Sequence, residues 1–99
     1  MFPGLTTRIS EELMALTTTI SPTSDLVHVN STTSTTVLKT INPPYAGFSG
    51  IMIIVNRSGA NMTTVTTGNI ALAVTIPVNQ VNVLVYSKLT GIWYPGAIS

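Results

Sequence analysis

The chain has 99 residues, which suffices for one domain of ordinary size. Charged residues make up only 7% of it, against roughly 25% in an average globular protein, and the net charge is +1. So little basic charge argues against a nucleic-acid-binding protein, the absence of cysteine excludes disulfides and thiolate metal sites, and no apolar run reaches the roughly 20 residues of a membrane-spanning helix.

Residues 1–19 carry an apolar pattern that differs from the rest of the chain. Four apolar residues recur at spacings of four, four and three, which is the spacing of one helix face: Leu5, Ile9, Leu13 and Leu16. Ser10, followed by Glu11 and Glu12, suits the start of a helix. The pattern therefore predicts a short helix near 9–16. Because so short a helix is marginal alone, we expect its stripe to bind a partner and residues 1–19 to form an attachment arm.

The remainder of the chain, 20–99, has the pattern of strands and turns that is typical of an all-β module. Short β-branched and Thr-rich runs alternate with turn residues every eight to twelve positions, a spacing typical of a small β-sandwich or barrel. The predicted strands cover residues 25–29, 35–41, 51–55, 62–67, 70–76, 80–86 and 92–94.

One of these strands, 51–55, is entirely apolar, a pattern typical of a strand that is covered on both faces. A domain of this size cannot easily cover both, and its low charge does not keep copies apart. We therefore predict a homotrimer, since self-association usually closes with cyclic symmetry. The residues predicted at the subunit interface are Ile51, Ile53, Trp93 and Tyr94.

Four ordered pieces of the sequence resemble a β-module that recurs in virion proteins of tailed bacteriophages. These pieces are ISPTSDLVHV at 20–29, TTVLKTINPPYAGFSGIMIIV at 35–55, TTGNIAL at 66–72 and VNVLVYSKLTGIWYPG at 82–96. The resemblance implies a compact β-fold, commonly trimeric, in capsid decorations, head fibres or tail appendages. The chain stops soon after its Trp-Tyr-Pro segment, which favours a minimal decoration protein over a whole fibre.

Few residues are candidates for chemistry. His28 is the only histidine and has one acid nearby in sequence, so a packed or interface role is favoured over metal binding. Ser49 lacks the glycine two positions later that a nucleophile elbow requires. Glu11 and Glu12 are adjacent and would point apart on a helix, so they cannot act as an acid–base pair. We therefore expect no enzyme activity, no cofactor and no metal.

The interpretation that follows is a homotrimeric capsid decoration, or cement, protein of a bacteriophage, assembled in the host cytoplasm and carried on the virion. Its partners would be other copies and the major capsid protein or another virion protein, with no nucleic acid and no membrane. The alternative is a short tail-fibre or tail-tip protein that binds host carbohydrate through loops 30–34, 56–61 and 87–91. In that alternative an aromatic platform would stack on sugars: Tyr45, Phe48, Trp93 and Tyr94.

Overall fold

The computed structural model of the protein describes residues 10–31 and 36–96, and within these ranges it is all-β, with ten strands and no helix. The all-β prediction is therefore confirmed. The strands are β1 (Glu11–Ala15), β2 (Thr19–Ile20), β3 (Leu26–Asn30), β4 (Val37–Leu38), β5 (Thr40–Ile41), β6 (Gly50–Asn56), β7 (Met62–Thr64), β8 (Thr75–Ile76), β9 (Val81–Ser87) and β10 (Ile92–Pro95).

The largest element is a five-stranded mixed sheet with the order β1-β3-β6-β9-β10. Strands β1, β3 and β6 run parallel to one another, whereas β9 is antiparallel to β6 and β10. Parallel neighbours cannot be joined by a tight turn and need crossover connections. Here the crossovers are made of short strands rather than helices.

Those crossover strands form two smaller sheets. Strand β2 lies between β1 and β3 in sequence and pairs with β5, while β4 pairs with β7 and β7 with β8. The chain thus leaves the main sheet after β1, β3 and β6, forms part of a small sheet, and returns. One face of the main sheet and the small sheets share a single apolar core.

The core consists of alternate residues of the main sheet together with apolar residues of the crossovers. Its fully buried side chains include Val27, Ile54 and Leu84 from the main sheet, and Leu38 and Ile76 from the small sheets. Alternation is what a sheet covered on one face only requires, because successive side chains point to opposite sides.

The helix predicted near 9–16 is wrong. Residues 11–15 form strand β1, which is paired residue by residue with β3, from Glu11 opposite Leu26 to Ala15 opposite Asn30. Exposure alternates along β1 with a period of two, and Leu16 follows it into the core. An apolar spacing of four fits a helix face, but any even spacing also keeps residues on one side of a strand. Long-range pairing with β3 outweighs a weak local preference.

The predicted boundary between the attachment arm (1–19) and the β-module (20–99) lies between Thr19 and Ile20. Strand β2 spans it, and β1 belongs to the main sheet, so residues 10–19 are part of the β-fold. Leu5 and Ile9, the first half of the predicted attachment stripe, lie outside the described residues.

Two other strand predictions need correction. The run 35–41 is divided at Lys39 into β4 and β5, so that Leu38 and Ile41 are both buried although three positions apart. In the run 70–76 only Thr75–Ile76 is a strand, and Ile70 contributes an isolated bridge to Trp93.

Candidate functional site

The face of the main sheet that points away from the core is the most distinctive surface of the molecule. The strand registers place its outward residues in rows that cross the sheet. One row runs Leu26, Ile53, Val83, and the next runs Ile51, Val85, Tyr94.

This surface, called the outer face below, is apolar over almost its whole extent. Six of its side chains are between 42% and 66% exposed, and the others are half-buried by their neighbours. Its apolar members are Leu13, Leu26, Ile51, Ile53, Val55, Val81, Val83, Val85 and Tyr94. Scattered exposed apolar side chains are normal, whereas a contiguous patch marks an interaction site.

The outer face holds one pair of ionisable groups, at the β1–β3 side. The Nε2 atom of His28 hydrogen-bonds a carboxylate oxygen of Glu11, and both side chains point outward. The His28 Nδ1 atom is buried and has no partner among the described residues. No lysine or arginine lies on these five strands, and the exposed Arg57 directly follows β6.

A second acid, Glu12, points to the other side of β1. Its hydrogen bonds connect β1 to the turn that precedes β3. Its carboxylate accepts hydrogen bonds from the backbone N–H of Thr23 at 2.7 Å and from the Thr23 hydroxyl at 3.2 Å. Partial burial acts to raise the pKa of Glu12, but hydrogen bonds from Thr23 and Ser24 outweigh it and leave the pKa below its usual value. The ionised carboxylate therefore stabilises this corner of the fold.

The structure brings together three of the four residues predicted at a subunit interface. Ile51, Ile53 and Tyr94 all lie on the outer face. Trp93 does not, because it is 0% exposed and points into the core, where its Nε1–H donates to the Ile41 carbonyl at 2.9 Å. The prediction of Trp93 as an interface residue is corrected accordingly: its side chain has no surface left for a partner.

The two predicted attachment residues that the structure describes also lie in different places, one on the surface and one in the core. Leu13 is 66% exposed and belongs to the outer face, whereas Leu16 is 3% exposed and belongs to the core. Leu16 therefore stabilises the domain itself and has almost no surface for a partner.

The aromatic platform of the carbohydrate-binding alternative is not formed as a set of four. Phe48 lies between Tyr45, at 5.5 Å between ring centroids, and Tyr86, at 6.0 Å, with Trp93 buried beneath. Tyr94 is on the opposite side of β10 from Trp93, facing outward. The rings of Phe48 and Tyr86 pack against the core and do not form a row of exposed rings.

The three loops considered for carbohydrate binding do not meet at one end of the molecule. The backbone N–H of Ser31 donates to Ser58 Oγ at 2.8 Å, so the first two loops adjoin each other. Residues 87–91 join β9 to β10 at the other end of β6, because Gly50 pairs with Tyr86 while Val55 pairs with Val81.

Sequence reasoning missed the valines of β9, although a signal for them was present. Val81, Val83 and Val85 alternate with buried Asn82 and Leu84. Three valines at alternate positions indicate that the side of the strand they share is apolar. Without the pairing of β6 with β9, however, the sequence could not show that both strands contribute to a single surface.

The remaining chemical candidates are structural where the structure describes them. Ser49 Oγ accepts a hydrogen bond from the backbone N–H of Lys88 at 3.0 Å, which ties two loops together. Within residues 10–31 and 36–96 no group of three or more His, Asp or Glu side chains could hold a metal ion. Over the same ranges there is no helix of a length and hydropathy that would cross a membrane.

Comparison with known proteins gives a fold likeness and no family. No family model matches the chain, and no curated protein matches it in sequence. A chain from the structure of a chaperone–substrate complex superposes with a TM-score of 0.53 at 16% identity, over 85% of this chain and 16% of that one. The crystal structure of residues 132–251 of StcE from enterohemorrhagic E. coli gives a TM-score of 0.48 at 16% identity, over 77% of this chain and 66% of that one. This chain thus corresponds to about one sixth of the first neighbour's length.

Proposed function

We propose that the protein is a non-catalytic assembly module, a virion structural protein of a tailed bacteriophage that decorates the capsid as a homotrimer. The observation that carries the assembly role is the outer face, a contiguous apolar surface across five strands. Its members expose isoleucine, leucine and valine, which cannot act on a substrate but can bury area against another protein.

The assignment to a virion draws its support from the resemblance of the pieces at 20–29, 35–55, 66–72 and 82–96 to phage β-modules. The low charge of the chain is compatible with that role, because contacts made through apolar area and main-chain hydrogen bonds are little affected by ionic strength.

Attachment to the head is assigned to the N-terminal residues that precede β1, including Leu5 and Ile9. Residues 10–16 are built into the main sheet and the core, so a test of attachment must leave them in place. Deletion of residues 1–9 meets this condition, whereas a chain that begins at Ile20 would also remove β1 and Leu16.

The experiment is electron microscopy of particles from the phage that encodes the chain, with and without the gene. The expected result is a threefold density on the head that disappears with the gene and returns when purified protein is added. Protein lacking residues 1–9 should not restore it. Density on the tail would favour the tail-fibre alternative, and absence of the protein from purified particles would refute the virion assignment.

A further inference from the structure

We propose that the outer face is the surface through which copies of this chain pack against one another. This inference deepens the proposed assembly function and rests on it. It identifies the occupant of the face as a second copy rather than a capsid protein, a ligand or a membrane.

The shape of the outer face fits a second copy. It is one side of an open five-stranded sheet, whereas small ligands usually bind in concave sites. It suits another extended apolar surface, and two sheets pack naturally about 10 Å apart with their side chains interdigitated. In the proposed homotrimer the outer faces of the other copies are such surfaces, because three sheets turned toward a common threefold axis each meet their two neighbours.

The area of the outer face is that of an interaction site. With strands about 4.8 Å apart and about 3.3 Å per residue, five strands of about five residues give a flat footprint of about 400 Å². Such a patch is as large as those that mark interaction sites on single domains. It is about half of the roughly 800 Å² that each partner contributes to a standard interface.

The charge on the outer face also fits a second copy. The acidic and basic side chains that its five strands direct to this side are those of Glu11 and His28, and these already hydrogen-bond each other within the chain. A copy of the same face therefore meets no unpaired like charge at its centre, where Ile53 pairs with Val83. A partner of strong net charge finds no unpaired opposite charge on this side of the five strands.

The packing also accounts for the apolar run 51–55. In one copy only Met52 and Ile54 are buried, while Ile51, Ile53 and Val55 are not. The expectation that both faces of this strand are covered is thus unmet within the chain and is met when a second copy covers the outer face.

The test uses analytical ultracentrifugation of the full-length protein and of two matched variants. Val83→Glu places a carboxylate at the centre of the outer face, and Val37→Glu places one on an exposed valine of a small sheet. The wild type and Val37→Glu should form the same oligomer at micromolar concentrations. Val83→Glu should weaken self-association by at least about 100-fold, because the interface would bury an unpaired charge. Circular dichroism and thermal unfolding establish that each variant is folded.

A second measurement uses the absence of cysteine from the chain. Single cysteines at Val83 and at Leu89, an exposed residue of the β9–β10 loop, are cross-linked with a short bis-maleimide. Faster cross-linking at position 83 is expected. Equal rates, a monomeric wild type, or an oligomer that survives Val83→Glu would each overturn the inference. A monomer that nevertheless occurs on virions would refute this packing and the homotrimer, while leaving the proposed virion role intact.

Discussion

The side-chain amide of Asn69 pairs with the backbone of Ile41 as a neighbouring strand would. Its Oδ1 accepts from the Ile41 N–H at 2.9 Å, and its Nδ2 donates to the Ile41 carbonyl at 2.7 Å. That carbonyl also accepts from the Trp93 indole, and the Trp93 N–H donates to the Asn69 carbonyl. One asparagine thus joins the end of β5 to β10, between layers where no strand pairing exists.

We expect Asn69→Ala to lower the free energy of unfolding by about 1–3 kcal/mol, because the Ile41 N–H would lose its partner while the Ile41 carbonyl keeps the Trp93 indole. Urea unfolding followed by tryptophan fluorescence measures the change, since Trp93 is the only tryptophan. Asn42→Ala is the control. Its exposed side chain bonds only Ser21 Oγ, and we expect a loss of less than about 0.5 kcal/mol.

The neighbouring Gly68 has no room for a side chain. A Cβ built there would lie 2.1 Å from the Lys39 carbonyl oxygen, a backbone atom that cannot turn away. We expect Gly68→Ala to cost several kcal/mol, on the order of 3 or more, because the two backbone segments must separate.

Gly59→Ala is the matched control for that substitution. No atom lies within 4 Å of the corresponding Cβ, and its backbone is not left-handed, so we expect a change within about 1 kcal/mol. Equal thermal midpoints for the two variants would show that the contact between residues 68 and 39 is looser than described.

The sequence predicted the fold class because turn residues and β-branched runs report directly on strands. Strands β3, β6 and β9 were placed to within one or two residues by these local signals. The order of the strands was not accessible, because parallel pairing such as that of β1 with β3 joins segments that no local pattern connects. Strand β2 was missed, and the bounds of β4, β5 and β8 within the predicted runs were not found, because two residues are too few to show alternation.

The candidate surface was predicted in part. Ile51, Ile53 and Tyr94 were identified because apolar runs and aromatic residues at strand ends are visible in sequence. Trp93 was misplaced because the side of β10 on which it lies depends on the register with β9, where Trp93 faces Tyr86. A one-residue shift in register moves a side chain from core to surface.

Stability should depend on pH through Glu12. Its pKa is lowered in the folded protein, so its ionised form stabilises the fold above the unfolded-state pKa, near 4.5. That contribution disappears as pH falls below about 4.5 and through the folded pKa, where the carboxylate is protonated in both states.

We expect Glu12→Gln to be less stable than the wild type at about pH 7, and the difference to shrink at an acid pH below the folded pKa of Glu12, where the wild-type carboxylate is also neutral. Denaturant titrations at the two pH values measure it, and the low-pH pair serves as the internal control. A difference that stays constant would mean that the Thr23 hydrogen bonds do not depend on the charge of Glu12.

Leu16 and Leu13 provide the sharpest distinction between a strand within the fold and an attachment helix. They are three residues apart and would share one face of a helix, but in the structure one is buried and the other is exposed. We expect Leu16→Ala to cost about 2–5 kcal/mol, since it opens a cavity in the core, and Leu13→Ala to cost less than about 0.5 kcal/mol in the monomer. Chemical unfolding at a concentration where the protein is monomeric measures both. Each substitution serves as the control for the other, because the same atoms are removed from the same segment. If both variants were as stable as the wild type, residues 10–16 would not be part of the core, and an attachment helix separate from the β-module would again be favoured.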